Sequence, residues 1–239
     1  MVELCPLACA SSPLPLVNLP PVIGITIATP GYFDLAHTAA ASFRKYARAP
    51  ALVLTTDEAG YDWKYTLPEI AGNRVFCFFD ADTIFIRPVD LAPFRNIAGI
   101  AAVRDASRQA LDSFCLPDAL ALDFPPDRYC NTGFFFANAR QPAVRAAFDL
   151  ARRLMAEHRA GVEGFPVLKD VTEQSILVAA WHRAGVEMTY LDDTWNWWPH
   201  AVHRGWLDWQ GGIKVLHAAG VPLAEKAAFL EKHRAVFEA

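Results

Sequence analysis

Five consecutive apolar residues, Val75-Phe76-Cys77-Phe78-Phe79, run without interruption into Asp80-Ala81-Asp82. A strand with one wet face alternates apolar and polar residues, and an amphipathic helix breaks its apolar stripe within every turn. A short run that is apolar at every position instead fits a central strand with protein on both faces. The two carboxylates mark where that strand must leave the core, because unpaired buried charge is costly. The segment therefore predicts a covered sheet with an acidic edge.

The flanking sequence supplies the rest of that sheet. Val22 to Thr29 is a β-branched run that stops at Pro30-Gly31, a strand ending in a turn. Asp34 is placed to cap a helix through about Arg48. Ala51 to Thr55 and Ile97 to Val103 are further short apolar runs, and Gly133 to Ala137 reads as another buried strand. Helices are predicted from about Pro142 to His158, from Thr172 (as cap) to Ala184, and at the C-terminus. Between the last two lie strands near Met188–Leu191 and Ile213–Leu216, separated by a tryptophan-rich segment.

This alternation predicts an α/β fold with a mostly parallel central sheet flanked by helices. Ligands of such sheets bind beyond the carboxyl ends of the strands. Thr29, Asp80 with Asp82, and Arg104 with Asp105 each follow a strand, so they are expected to meet at one edge.

Composition narrows the function. Of 239 residues, 53% are hydrophobic and 20% charged, enough for one sizeable core. A net charge of −4 with no long basic run excludes sequence-independent nucleic-acid binding, and leaves room for a local phosphate groove. Cys5, Cys9, Cys77, Cys115 and Cys130 are odd in number and include no Cys-x-x-Cys pair. They predict neither a zinc site nor a disulfide framework, and favour a reducing, cytoplasmic compartment. The first twenty residues lack Lys and Arg and are interrupted by prolines, which suits an extended arm over 1–21 better than a signal peptide. No apolar run reaches the length of a membrane span, so no transmembrane segment is expected. A membrane-borne acceptor would still place the protein peripherally at a bilayer.

If extended geometry persists through Asp80 and Asp82, both carboxylates face one side. Adjacent carboxylates repel unless a cation or shared proton compensates, and Mg²⁺ or Mn²⁺ would do so while leaving positions for phosphate. The plainer reading is a charged, solvated loop. His217 ends a strand before the small-residue turn Ala218-Ala219-Gly220, where its ring can reach a metal; His37, His158, His182 and His233 fall in helical patterns and read as surface or packing residues.

In order along the chain, Arg74 to Asp90 resembles the Asp-x-Asp segment of the glycogenin and bacterial galactosyltransferase group, family 8 of the glycosyltransferases. Ala101 to Asp105 resembles the family's strand ending in Asp, and Asn131-Thr132-Gly133 its Asn-Ser/Thr-Gly. Glu173-Gln174 stands where Asp-Gln is usual, Trp195-Asn196 is similar to its aromatic-Asn pair, and Val215 to Gly220 to its His-x-x-Gly. The resemblance implies a GT-A fold and a retaining transfer of a hexose from a nucleotide-diphosphate sugar, UDP-linked in the family's manner, to a carbohydrate or glycolipid hydroxyl. It implies one domain: a nucleotide-binding half over 22–105 and an acceptor-binding half over 106–239.

Residue by residue, Asp80, Asp82 and His217 would hold the Mn²⁺ or Mg²⁺ ion, with Ala81 between the two acids. Thr29 and Tyr32 would face the nucleoside, Lys64 the nucleotide, and Asp105, Asn131 and Gln174 the donor sugar. Gly133 would allow close backbone approach.

Two departures stand out. Where relatives place a phosphate-contacting lysine six residues after the histidine, this chain has Leu223, and its first later lysine is Lys226. Glu173 replaces the usual Asp with a side chain one methylene longer. Each candidate also has a structural reading: Asn131 to Gly133 as a turn, Glu173 as helix first-turn charge, Lys64 as a surface residue, Asp105 as a cap. Trp195, Trp197, Trp198, Trp206 and Trp209 are either an acceptor cleft, with Trp197 and Trp198 the best candidates, or aromatic core. Rival functions are a haloacid dehalogenase-type phosphohydrolase, a non-catalytic binding module on the same fold, and a nucleotidyltransferase, which lacks its Gly-rich loop here.

Overall fold

A computed structural model describes residues 21–56, 61–105, 128–160, 173–203 and 211–238. Residues 1–20 of the proposed arm, with Cys5 and Cys9, and Cys115, the Thr172 cap, Trp206 and Trp209 lie outside them. The elements are β1 (Val22–Ala28), α1 (Phe33–Ala47), β2 (Ala51–Thr55), α2 (Leu67–Ala71), β3 (Val75–Phe79), β4 (Thr83–Phe85), β5 (Ile100–Arg104) and β6 (Cys130–Asn138). After them come α3 (Pro142–Ala160), α4 (Glu173–Arg183), β7 (Met188–Leu191), α5 (Pro199–His203), β8 (Val215–His217) and α6 (Leu223–Glu238). A 3-10 helix, Tyr61–Thr66, precedes α2.

The main sheet has the order β2-β1-β3-β6-β5-β7, and β4 pairs with β8 in a separate two-stranded ribbon. β3 is buried at every residue, as its composition requires. Its side chains divide by the strand period of two. Phe76 and Phe78 join Phe135, Phe148 and Trp181 on the face covered by α3 and α4. Val75, Cys77 and Phe79 join Phe134, Phe136 and α1's Ala39, Ala40 and Phe43 on the other. A stripe of alanines lets α1 approach closely: a Cβ on Gly24 of β1 would lie only 2.8 Å from the Phe43 ring.

One strand departs from the parallel expectation. β6 runs antiparallel to both β3 and β5, while β1–β2, β1–β3 and β5–β7 are parallel. A uniformly apolar run carries no signal of strand direction. The reversal has a functional consequence, because it brings the start of β6 beside the end of β3, with Phe79 opposite Phe134. Residues at the start of one strand thus share an edge with residues that follow the others. The helix start also differs: Tyr32, not Asp34, is the N-cap of α1, and Asp34 lies in the first turn, where its charge suits the helix dipole.

Backbones approach closely at the β5–β7 end. A Cβ at Gly99 would fall 2.1 Å from the Glu187 carbonyl oxygen, which accepts the Ile100 amide at 2.9 Å. Gly99→Ala must therefore push β7 from β5. We expect a loss of about 1–3 kcal/mol, read as a lower urea midpoint at unchanged m-value.

Candidate metal centre

The acidic edge is a turn rather than a continued strand. The Thr83 amide donates to the Asp80 carbonyl at 3.1 Å and its hydroxyl to the same oxygen at 2.8 Å. The turn, not extended alternation, aims both carboxylates inward. β4 then pairs antiparallel with β8, setting Thr83 opposite His217, and the Ala218 amide donates to the Asp82 carbonyl at 2.9 Å. So the ribbon joins β8, which the sequence predicts as a strand ending at His217, to β4, a three-residue strand that it does not predict, and delivers the imidazole to the acids. His217 Nε2 lies 3.4 Å from Asp82 Oδ1 and 3.7 Å from Asp80 Oδ2.

A chain of hydrogen bonds fixes the imidazole tautomer, starting from a backbone donor. The Gly133 amide donates to Asn131 Oδ1 at 2.8 Å, so that atom is an acceptor. Asn196 must then present its NH₂ to it, also at 2.8 Å, and turn its own oxygen toward His217 Nδ1 at 2.9 Å. Nδ1 therefore carries a hydrogen, and Nε2 is the ring nitrogen left facing the two carboxylates. With its lone pair free, Nε2 and the two anions form a ligand set for a cation.

The shape agrees with the donor set. Ligand atoms of Asp80, Asp82 and His217 lie within 4.8 Å of one another. Gly133 forms the floor: a Cβ there would lie 2.5 Å from His217 Cε1 and 2.7 Å from Asp80 Oδ2. These three residues fit a divalent ion.

Asn196→Ala removes the acceptor that holds Nδ1–H. We expect metal affinity, measured by Mn²⁺ titration, to fall about 10–100-fold in a variant that a thermal melt shows to be folded though less stable.

Two lysines compensate the acids. Lys64, 4% exposed, lies 3.1 Å from Asp80 Oδ1 and donates to Glu173 Oε1 at 2.9 Å and the Thr132 carbonyl at 3.4 Å. It is buried rather than a surface residue, and Glu173 is its partner rather than only a first-turn charge. Burial alone would lower the Lys64 pKa, but Asp80 and Glu173 outweigh it and hold the ammonium above the usual lysine range. Lys226 donates to Asp82 Oδ2, and to the Ala218 carbonyl at 2.7 Å.

The two acids respond in opposite directions. Burial raises the Asp80 carboxyl, only partly offset by Lys64 and His217. Burial works the same way on Asp82, where His217 and Lys226 prevail and hold it well below the carboxylate range. The depressed Asp82 contributes stability that is present above its unfolded pKa and lost as pH falls through its folded one.

These groups line a cleft of about 410 Å³. Thr29, Tyr32, Lys64, Asp80, Ala81, Asp82, Asn131, Gly133, Gln174 and His217 all border it. Tyr32 is near enough to the acids that its phenol is raised by burial and then by Asp82 and Asp80. Asp105, 2% exposed, is not on the cleft wall. It lies behind it, accepting from Asn131 Nδ2 at 3.3 Å and Gln174 Nε2 at 2.8 Å. Gln174 is fixed from its other end by the Thr132 amide at 3.0 Å. Arg104 instead stacks on the Tyr190 ring, 4.1 Å from its centroid.

Sequence reasoning missed the orienting role of Asn196, the Tyr129–Ser175 bond of 2.9 Å beneath Gln174, and the salt bridge that buries Lys64. Asn196 was visible only as half of an aromatic-Asn pair. The described members of the tryptophan cluster, Trp195, Trp197 and Trp198, are core. Trp197 is 0% and Trp198 9% exposed, packed with Ile84, Leu216 and Leu230 behind β8, so neither forms an acceptor wall.

No protein-family model and no curated protein matches the sequence. Solved structures do match in fold. The bifunctional glycosyltransferase WbbM superposes with TM-score 0.60 at 16% identity, over 87% of this chain and 47% of that one. This chain thus spans about half of WbbM. The galactosyltransferase LgtC, solved with donor and acceptor sugar analogues, gives 0.58 at 13% identity over 91% of this chain and 96% of its own. The glycosyltransferase GlyE of Streptococcus pneumoniae gives 0.58 at 13% identity over 90% and 62%. With a six-stranded, mostly parallel sheet between helices and an Asp-x-Asp turn at its edge, the chain has the GT-A fold of these transferases.

Proposed function

We propose that this chain is a metal-dependent glycosyltransferase that moves a hexose from a UDP-sugar to a carbohydrate or glycolipid hydroxyl with retention of configuration. The observation that carries the reading is His217 Nε2 facing Asp80 and Asp82, its ring held through Nδ1 by Asn196, in a cleft at the strand ends of a GT-A fold. Asp80, Asp82 and His217 would hold Mn²⁺ or Mg²⁺, which when bound neutralises charge building on the diphosphate as it leaves.

The remaining roles fall to the chain's own groups. Thr29 and Tyr32 bind the nucleoside, and Lys64 offsets part of the burial that disfavours the Asp80 carboxylate and holds that side chain in place. Asn131 has one N–H and Gln174 one lone pair beyond the bonds they make among the described residues, and these read the hydroxyls of the donor sugar. Asp105 positions both from behind. In the transfer, the bond from the anomeric carbon to the diphosphate oxygen breaks and a bond to the acceptor oxygen forms. The acceptor's proton passes to the departing diphosphate.

Residues 22–105 and 106–239 act as nucleotide and acceptor halves of one domain, with β6, α4 and β8 of the second half closing the donor site. Cys77 and Cys130 are free thiols, in keeping with a cytoplasmic setting. Among the described residues, no helix is long and apolar enough to cross a membrane.

The test is a panel of nucleotide sugars with glycan and glycolipid acceptors, with Mn²⁺ or EDTA, read as UDP release and a hexose mass gain on the acceptor. Metal-dependent transfer supports the reading. Binding of UDP without hydrolysis or transfer from any donor makes the chain a binding module instead. Trapping of an aspartyl-phosphate analogue on Asp80 by fluoroberyllate would replace transfer with phosphohydrolysis.

A further inference from the structure

We propose that Lys226 is a tethered counter-ion of Asp82 that exchanges onto the donor's diphosphate, so that divalent ion and diphosphate bind the cleft cooperatively. The inference rests on reading the cleft as a nucleotide-sugar site.

Lys226 belongs to the first turn of α6, 5% exposed, and borders the cleft. Its ammonium donates to Asp82 Oδ2 and to the Ala218 carbonyl, whereas Asp82 Oδ1 faces His217 Nε2 at 3.4 Å. An ion seated among Asp80, Asp82 and His217 must therefore draw on a carboxylate already paired with a cation. Two positive centres on one carboxylate repel each other, and the repulsion is strong where little water screens it.

The two lysines of the site differ in how they can respond. Lys64 has a second carboxylate, Glu173 at 2.9 Å, and the Thr132 carbonyl behind it, so it keeps a charged partner when Asp80 turns to a metal. Among the described residues, Lys226 has only the neutral Ala218 carbonyl besides Asp82. Once Asp82 shares its charge with a metal, the nearest anion available to Lys226 is the diphosphate that the same metal attracts. Its four-carbon stem, hinged at the mouth of the cleft, allows the ammonium to follow. The metal alone then works against Lys226, and the diphosphate relieves that opposition. By linkage each ligand tightens the other.

The test is a titration of Mn²⁺, followed by the electron paramagnetic resonance of the free ion, into wild type, Lys226→Met and Lys226→Arg, each with and without saturating UDP. Wild type is expected to bind Mn²⁺ at least tenfold more tightly with UDP. Lys226→Met should bind Mn²⁺ alone at least tenfold more tightly than wild type and gain much less from UDP, and Lys226→Arg should keep the coupling. Wild type that gains nothing from UDP overturns the inference whatever the variants do. So does a Lys226→Met protein, folded by its melting curve, that binds Mn²⁺ alone no better than wild type. Absence of Mn²⁺ binding by every protein, with UDP present or not, removes the metal-dependent reading itself and the inference with it.

Discussion

Gly133→Ala is expected to lower Mn²⁺ affinity by at least a hundredfold while the protein remains folded. The added Cβ would stand 2.5 Å from His217 Cε1, 2.7 Å from Asp80 Oδ2 and 2.9 Å from Asn131 Oδ1. None of these atoms is the loose end of a flexible side chain. His217 is held by Asn196, Asp80 by Lys64, and Asn131 by the Gly133 amide itself. A methyl group must therefore spread two ligands and break the bond network that sets the tautomer. Metal sites tolerate little of this, since ligand distances are confined to a few tenths of an ångström. Gly133 has no left-handed backbone conformation, so alanine brings no backbone strain. Mn²⁺ titration beside a thermal melt separates the two effects. An unchanged affinity would show that the ion does not sit over Gly133.

Trp197→Ala is expected to cost about 3–5 kcal/mol, the range for emptying a buried Trp site. Trp197 is fully buried and packs edge-on to Phe237 with ring centroids 5.3 Å apart. Its backbone also carries β8: the Trp197 amide donates to the Val215 carbonyl and its carbonyl accepts from the His217 amide, both at 3.0 Å. A cavity behind the ribbon should loosen His217 as well. The urea midpoint should fall sharply, and Mn²⁺ affinity should fall with it. A variant with wild-type stability would return Trp197 to the role of a surface aromatic.

The particular elements show what was legible from sequence. β3 was, because burial on both faces leaves a local mark at every position. So was the grouping of Thr29, Asp80 and Asp82, because parallel strands end on one side. The direction of β6 was not, since Gly133 to Ala137 is as apolar as β3 and reads the same both ways. Its antiparallel course explains why Asn131 and Gly133, which lie at the start of a strand, reach an edge that the other residues reach at or beyond the end of one. The β4–β8 ribbon was too short for any periodicity, yet it is what carries His217 to Asp82. Lys64 and Glu173 could not be paired in advance, because 109 positions separate them and only the packing of α4 on the sheet brings them together. The tryptophan cluster was ambiguous for a different reason: an aromatic suits a sugar face and a core equally well until its exposure is known.

The central claim is that Asp80, Asp82 and His217 hold a divalent ion that recruits a nucleoside diphosphate. Calorimetric titration of UDP into the protein, with Mn²⁺ and then with EDTA, for wild type and Asp82→Asn, tests it most directly. Saturable UDP binding that requires Mn²⁺ and falls at least tenfold in Asp82→Asn is the predicted result. UDP binding of equal strength in EDTA, or none under either condition, would contradict it.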